Sequence, residues 1–257
     1  MNYMYLIYLN EEEWNWLPET EKQRCMAQGD WMVNRWKEQG KYRGGAPLHS
    51  ATTATTIRFR DGKYVISDGP FAETKEQLAG YLLVEAADRE EAVAMWMDGN
   101  SGSPGTIEVR EVAEFPQADG AVAQGMKQYM LLCCHSEAGW NSLPEAERVR
   151  LREDAFVFAQ EMGEQGKWLK GAPLRRTSES RSVRTHGGRL IVTDGPFAET
   201  KEQLAGFVLI QAANLDEAIA AGKRFHAGRE GAVEVRPVVV GPCEGSELKR
   251  EEAATIS

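Results

Sequence analysis

DGPFAETKEQLAG spans Asp68–Gly80, and the same thirteen residues return unchanged at Asp194–Gly206. Sliding the chain by 126 positions aligns far more than this stretch, without a gap. WNWLPETE (Trp14–Glu21) meets WNSLPEAE (Trp140–Glu147). EQGKYRGGAPL (Glu38–Leu48) meets EQGKWLKGAPL (Glu164–Leu174), and IEVR (Ile107–Arg110) meets VEVR (Val233–Arg236). Solenoid repeats run to roughly 20–50 residues, so a period this long means a duplicated domain.

Each copy reads the same way. A nearly continuous apolar run, Tyr3–Leu9 or Tyr129–Cys134, suits a strand buried on both faces. An amphipathic helix is expected over Pro18–Gln39 and Pro144–Gln165, with proline at its first turn and Gly40 or Gly166 as its stop. A second strand near Lys41–Leu48 leads to a hairpin whose arms, TTIRFR and KYVIS, flank Asp61-Gly62; Gly187-Gly188 fills that turn in the second copy. After the opening loop come strands LAGYLLVEA and LAGFVLIQA. Asp88 with Glu91, and Asn214 with Glu217, form capping pairs for a second helix. TIEVREV and AVEVRPVVV close the copies as strands.

The order β-α-β-(β-hairpin)-β-α-β is a ferredoxin-like arrangement carrying an inserted hairpin. The expected organisation is module 1 at 1–112, a small and polar linker at 113–127, module 2 at 128–240, and a loose charged tail at 241–257. The helices of such a module cover one face of its sheet. The strands look apolar on both faces, so the second face needs a cover, and the nearest one is the other copy, tethered by the linker. The predicted fold class is therefore α+β: two tandem ferredoxin-like modules packed as an intramolecular pseudo-dimeric α+β barrel. Two independent beads on a linker are the alternative.

The 257 residues carry a formal net charge of −9, which argues against direct binding to nucleic acid, since that requires a basic face. No apolar run approaches the ~18–20 residues of a membrane span, and the N-terminus lacks the basic and small-residue signature of a signal peptide. The four cysteines show no metal-ligand spacing, so no metal or cofactor is expected, and reduced thiols point to the cytoplasm.

DGPFAETKE, taken with the YMYLIY/YMLLCC strand, the GGAPL/KGAPL segment and the closing EVR, resembles the YCII-related family, and more narrowly its DGPF branch. The resemblance covers both halves outside linker and tail. It implies a ferredoxin-like fold in dimeric α+β barrels and an association with extracytoplasmic-function sigma factors, hence a sigma-factor partner near transcription initiation. Some relatives pair a histidine in the first helix with an aspartate after the second. Here the histidine places hold Gly29 and Ala155, and the aspartate places fall near Asp98 and Arg224, so that pair does not carry over.

Two readings of the repeated loop stand side by side. As a turn, it needs Asp68 to accept backbone N–H groups, Gly69 to take positive φ, Pro70 to fix φ, and Phe71 to plug the core. As a site, it presents Asp68 and Asp194 as bases or ligand-orienting groups beside apolar neighbours, with Glu73, Thr74, Lys75, Glu199, Thr200 and Lys201 as ligand-binding groups. A turn needs Asp-Gly-Pro but has no need of Glu-Thr-Lys-Glu. The expected ligand is a small polar or anionic molecule in a cleft between the modules. The four histidines have no counterparts between copies, so a symmetric catalytic histidine is absent; His135 is placed to work with Asp194 in one specialised half-site, or is a hydrogen-bonded surface group.

Overall fold

The computed structural model describes residues 1–100, 102–113, 122–198 and 200–239. Most of the expected linker and the whole tail lie outside the described residues. The first half runs β1 (Asn2–Leu9), α1 (Glu11–Trp16), α2 (Glu19–Glu38), β2 (Tyr42–Pro47), β3 (Thr55–Arg60), β4 (Lys63–Asp68), β5 (Gln77–Glu85), α3 (Arg89–Gly99) and β6 (Thr106–Val112). The second half repeats it as β7 (Lys127–His135), α4 (Glu137–Ser142), α5 (Glu145–Glu164), β8 (Trp168–Pro173), β9 (Arg181–His186), β10 (Arg189–Asp194), β11 (Gln203–Ala212), α6 (Leu215–His226) and β12 (Ala232–Pro237).

Local signals account for these elements. Pro18 and Pro144 stand immediately before α2 and α5, where a missing N–H costs nothing. The Asp88 and Asn214 side chains accept the N–H groups of Glu91 and Glu217 at 2.8 and 3.0 Å, capping α3 and α6 as expected. The short helices α1 and α4 were not anticipated. Asn10 and Ser136 cap them, and a proline two residues past each end keeps them to six residues.

The strands form two six-stranded antiparallel sheets, ordered β10-β9-β6-β1-β5-β2 and β4-β3-β12-β7-β11-β8. Within each, the four strands β6-β1-β5-β2 or β12-β7-β11-β8 have the ferredoxin-like order. The outer two strands belong to the other half. Hairpin β3–β4 of the first half pairs with β12 of the second, Ile57 opposite Val233, and hairpin β9–β10 pairs with β6, Val183 opposite Ile107. A hairpin's sequence fixes its own turn and register, but it does not say which sheet edge the hairpin joins. The halves thus exchange strands as well as face each other.

Alternation along β1 shows how three cores arise. Met4 and Leu6 point into a central core that also takes Met130, Leu132 and Phe207 from the second half. Tyr3 and Tyr5 point the other way, under α2 and α3 with Trp36 and Trp96. The exchanged hairpins reach these outer cores. Val183 enters the first half's, and Ile57 enters the one formed by Leu131, Phe158 and Val235. Each such burial contributes about 1.5–3 kcal/mol. Leu48 bridges to Val238 and Val112 to Leu174, joining the sheets into a barrel. Close approach at β2 and β8 requires glycine: a Cβ on Gly45 would lie 2.6 Å from the Tyr81 carbonyl oxygen.

One pair of contacts reverses sign between the halves. Arg35 on α2 meets Asp98 on α3 at 2.7 Å; at the equivalent places Glu161 meets Arg224 at 2.9 Å. The positions where some relatives place their aspartate thus serve an exposed helix–helix ion pair here. Such pairs are worth at most about 1 kcal/mol. Arg35→Glu and Asp98→Arg should each lower stability by up to about that amount, and the double variant should return to within ~0.5 kcal/mol of the parent in urea titration.

The exchange also predicts what half a chain does. Residues 1–113 alone leave hairpin β3–β4 without its acceptor strand and the central core uncovered. That fragment should sediment as a homodimer in which two copies trade hairpins. A folded monomer with native-like melting would show that the exchange is dispensable.

Candidate functional site

The repeated loops follow β4 and β10. Gly69 and Gly195 take φ of +94° and +90°, a turn open to glycine at no steric cost. Their N–H groups donate to Ala54 and Ser180 carbonyls at 2.8 and 3.1 Å, and their carbonyls accept from the Thr56 and Ser182 hydroxyls, both at 2.8 Å. The chain then turns inward. Pro70-Phe71-Ala72 and Pro196-Phe197-Ala198 line a single cavity of about 50 Å³ between the two sheets. Phe197 stacks on Tyr8 with ring centroids 3.7 Å apart.

Each loop is held by the opposite half. The Phe71 N–H donates to Glu234 Oε2 at 2.9 Å, and the Phe197 N–H donates to Glu108 Oε2 at 3.3 Å. The second oxygen of each carboxylate pairs with an arginine two residues on: Glu108 with Arg110 at 2.9 Å, and Glu234 with Arg236. All four side chains are nearly completely buried and line the cavity. Strand alternation puts Glu and Arg of Glu-Val-Arg on this face and Val109 or Val235 on the helix side. Arg110 spends its Nε on the Arg175 carbonyl at 2.9 Å, while Arg236 reaches the Leu78 carbonyl through Nη1 at 3.0 Å. Arg236 Nε is buried without a hydrogen-bond partner among the described residues.

The cavity is not symmetric. Tyr8 occupies the place that Cys134 takes in the second half. Burial and the nearby Glu108 carboxylate push the Tyr8 phenol well above its ordinary range, so its hydroxyl stays protonated. That hydroxyl makes no hydrogen bond among the described residues. Burial likewise raises the Cys134 thiol, leaving it un-ionised. Register shifts in β5 and β11, just after the loops, leave Leu78 opposite Tyr8 and Leu204 opposite Cys134. Outside the cavity wall, Arg58 pairs with Glu202 at 2.8 Å and donates to the Phe71 carbonyl at 2.9 Å. The corresponding Glu76 keeps a buried oxygen with no hydrogen-bond partner among the described residues.

Of the residues singled out from sequence, Thr74 and Thr200 line the cavity, their hydroxyls donating to the carbonyls of Glu76 and Glu202 at 2.5 Å. Asp68 and Asp194 sit exposed at the ends of β4 and β10, outside the cavity wall, and Asp194 pairs with Arg181 at 2.8 Å. Glu73 and Lys201 are exposed, and Lys75 lies 3.4 Å from Glu13 at the surface. Glu199 lies outside the described residues. His135 stacks on Trp140 at 5.3 Å, away from the cavity; burial lowers its pKa. Sequence reasoning passed over Glu108, Arg110, Glu234, Arg236 and Tyr8. The signal for the first four was available: two charges at alternate positions within an apolar closing strand, in both copies. Among the described residues no three His, Cys, Asp or Glu side chains gather as a metal site requires. No described helix is long and apolar enough to cross a membrane.

Comparison with known proteins agrees with the duplicated architecture. Residues 1–116 and 128–241 each match the YCII-related domain. An uncharacterised protein of Rhizobium meliloti (strain 1021) is 37% identical over 114 residues, which is 44% of this chain and 92% of that protein, so it has the length of one module. Among solved structures, a mutant chlorite dismutase from Candidatus Nitrospira defluvii superposes with a TM-score of 0.47 at 10% identity, over 93% of this chain and 91% of that one. The same organism's chlorite dismutase in complex with imidazole gives 0.44 at 10% identity over the same shares. With its two halves matched nearly end to end, the chain belongs to the YCII-related family.

Proposed function

We propose that this protein, a tandem member of the DGPF branch, binds a small polar or anionic molecule in the cavity between its halves. One observation carries the reading: Arg236, on the cavity wall, has a buried Nε with no acceptor among the described residues, and the hydroxyl of Tyr8 on the same wall makes no hydrogen bond among them. A buried donor left unmade is costly. A ligand oxygen supplies the missing acceptor. The cavity's size limits the ligand to a few heavy atoms, and two acid–arginine pairs flank it, so a small carbonyl compound or a short carboxylate that offers an acceptor oxygen fits. Thr74 and Thr200, on the cavity wall, are the candidates for contact with it, while the exposed Asp68 and Asp194 lie outside that wall. The free thiols Cys25, Cys133 and Cys134 fit a reducing, cytoplasmic setting.

A second reading is a non-catalytic partner of an extracytoplasmic-function sigma factor. Its support is the pair of sheet edges β4 and β10, which expose Val65, Ile66, Ile191 and Val192. A free edge with apolar side chains suits strand addition by another protein.

The binding reading is tested by calorimetric titration with acetate and glyoxylate. Tyr8→Phe keeps the stack on Phe197 and removes only the hydroxyl, so it should weaken binding about tenfold with melting little changed. Equal binding by parent and variant would remove the cavity from the argument. Asp68→Asn/Asp194→Asn should leave both affinities unchanged, because the two carboxylates lie outside the cavity wall; a loss of binding would bring them into the site.

A further inference from the structure

A second cavity, of about 170 Å³, lies in the first half between α2, α3 and the outer face of the first sheet. Trp14, Cys25, Met32, Trp96 and Ile107 line it, together with Leu190 of the exchanged hairpin. Its walls are mostly apolar, and it is distinct from the charged cavity between the sheets. Such a space accommodates a benzene-sized molecule; an apolar cavity of roughly 150 Å³ is known to stay dry and bind benzene.

Three features indicate that this space is suited to a ligand. Trp96, only 7% exposed, is part of the wall, and its indole N–H has no hydrogen-bond partner among the described residues. The protein leaves a buried donor beside an apolar void, and a guest with one acceptor oxygen would use it. Gly29 of α2 also lines the cavity, and a Cβ placed there meets nothing within 4 Å. The duplication supplies an internal comparison. Where the first half has Met32, Gly99 and Ser103, the second has Phe158, Phe225 and Arg229. The two phenylalanine rings pack edge to face at 5.2 Å, and the Arg229 guanidinium lies 5.3 Å from the Phe225 ring. At the wall positions Cys25 and Gly29 the second half has Leu151 and Ala155, so the first half carries the smaller side chains there.

We infer that the first half carries a ligand site of its own, independent of the central cavity, for a single-ring aromatic molecule bearing one carbonyl or phenolic oxygen. The ring fills the apolar space and the oxygen accepts from Trp96 Nε1. The site has no counterpart chemistry in the second half, where Gly222 stands at the place of Trp96.

The test uses the full chain, acetophenone as probe and ethylbenzene as its analogue without an acceptor, read through indole N–H signals in ¹H–¹⁵N spectra. Acetophenone should shift the Trp96 indole signal, identified as the one missing from Trp96→Phe. The same variant should lower acetophenone affinity about tenfold, towards that of ethylbenzene. Gly29→Leu fills the space from a helical position where leucine is the better helix former, so it should abolish binding of both probes without lowering Tm. Tyr8→Phe should leave both affinities unchanged. Saturating acetophenone with no indole shift, or binding indifferent to Gly29→Leu, would overturn the inference. Should Trp96→Phe fail to fold, Gly29→Leu decides alone.

Discussion

The structure depends on a carboxylate in one half accepting a backbone N–H from the other. Glu234 takes the Phe71 amide, and Glu108 takes the Phe197 amide. A loop that turns inward carries peptide groups away from water, and each must find a partner. Here the partner lies across the pseudo-twofold axis, so neither loop is complete in its own half. The exchanged hairpins follow the same logic. Each loop leaves from a hairpin already added to the opposite sheet, which brings Phe71 beside β12 and Phe197 beside β6.

Covalent fusion of the two halves frees them to differ. In a symmetric dimer every substitution appears twice. Here Tyr8 faces a place filled by Cys134, Arg58 has Glu202 while Glu76 lacks a matching hydrogen bond, and an ion pair between the helices runs in opposite directions in the two halves. The reversed pair is a compensated change with no consequence for shape. The other two lie on or next to the central cavity, and they make its two sides chemically distinct.

Much of the fold was legible because local rules and the repeat agreed. The period of 126, the Asp61-Gly62 and Gly187-Gly188 turns, and the capping pairs of α3 and α6 all pointed to paired ferredoxin-like modules. The partner edge of each hairpin was not legible, since the two sheets offer equivalent edges and only tertiary packing of Ile57 and Val183 distinguishes them. Of the site, the loops and their threonines were readable. The Glu-Val-Arg strands served only as alignment markers, although alternation alone places both charges on one face. In a strand expected to be buried, that pattern indicates either a misassigned element or a polar centre. Tyr8 gave no signal at all: an aromatic residue near the end of an apolar strand looks like core.

Buried ion pairs seldom stabilise a protein relative to apolar residues of similar volume, because desolvation offsets the attraction. The two pairs here therefore need a reason beyond stability. The amides of Phe71 and Phe197 supply part of it. They require buried acceptors, a carboxylate is a strong one, and a buried carboxylate in turn requires a cation. That chain of need explains Glu108, Glu234 and one charge beside each. It does not explain the full donor set of arginine. Arg110 uses its remaining donor on a backbone carbonyl, which makes it a structural group throughout. Arg236, built on the same pattern, keeps its Nε unmatched among the described residues, and it lines the cavity that Tyr8 also lines. The latch does not need that donor, so the surplus falls on the central cavity.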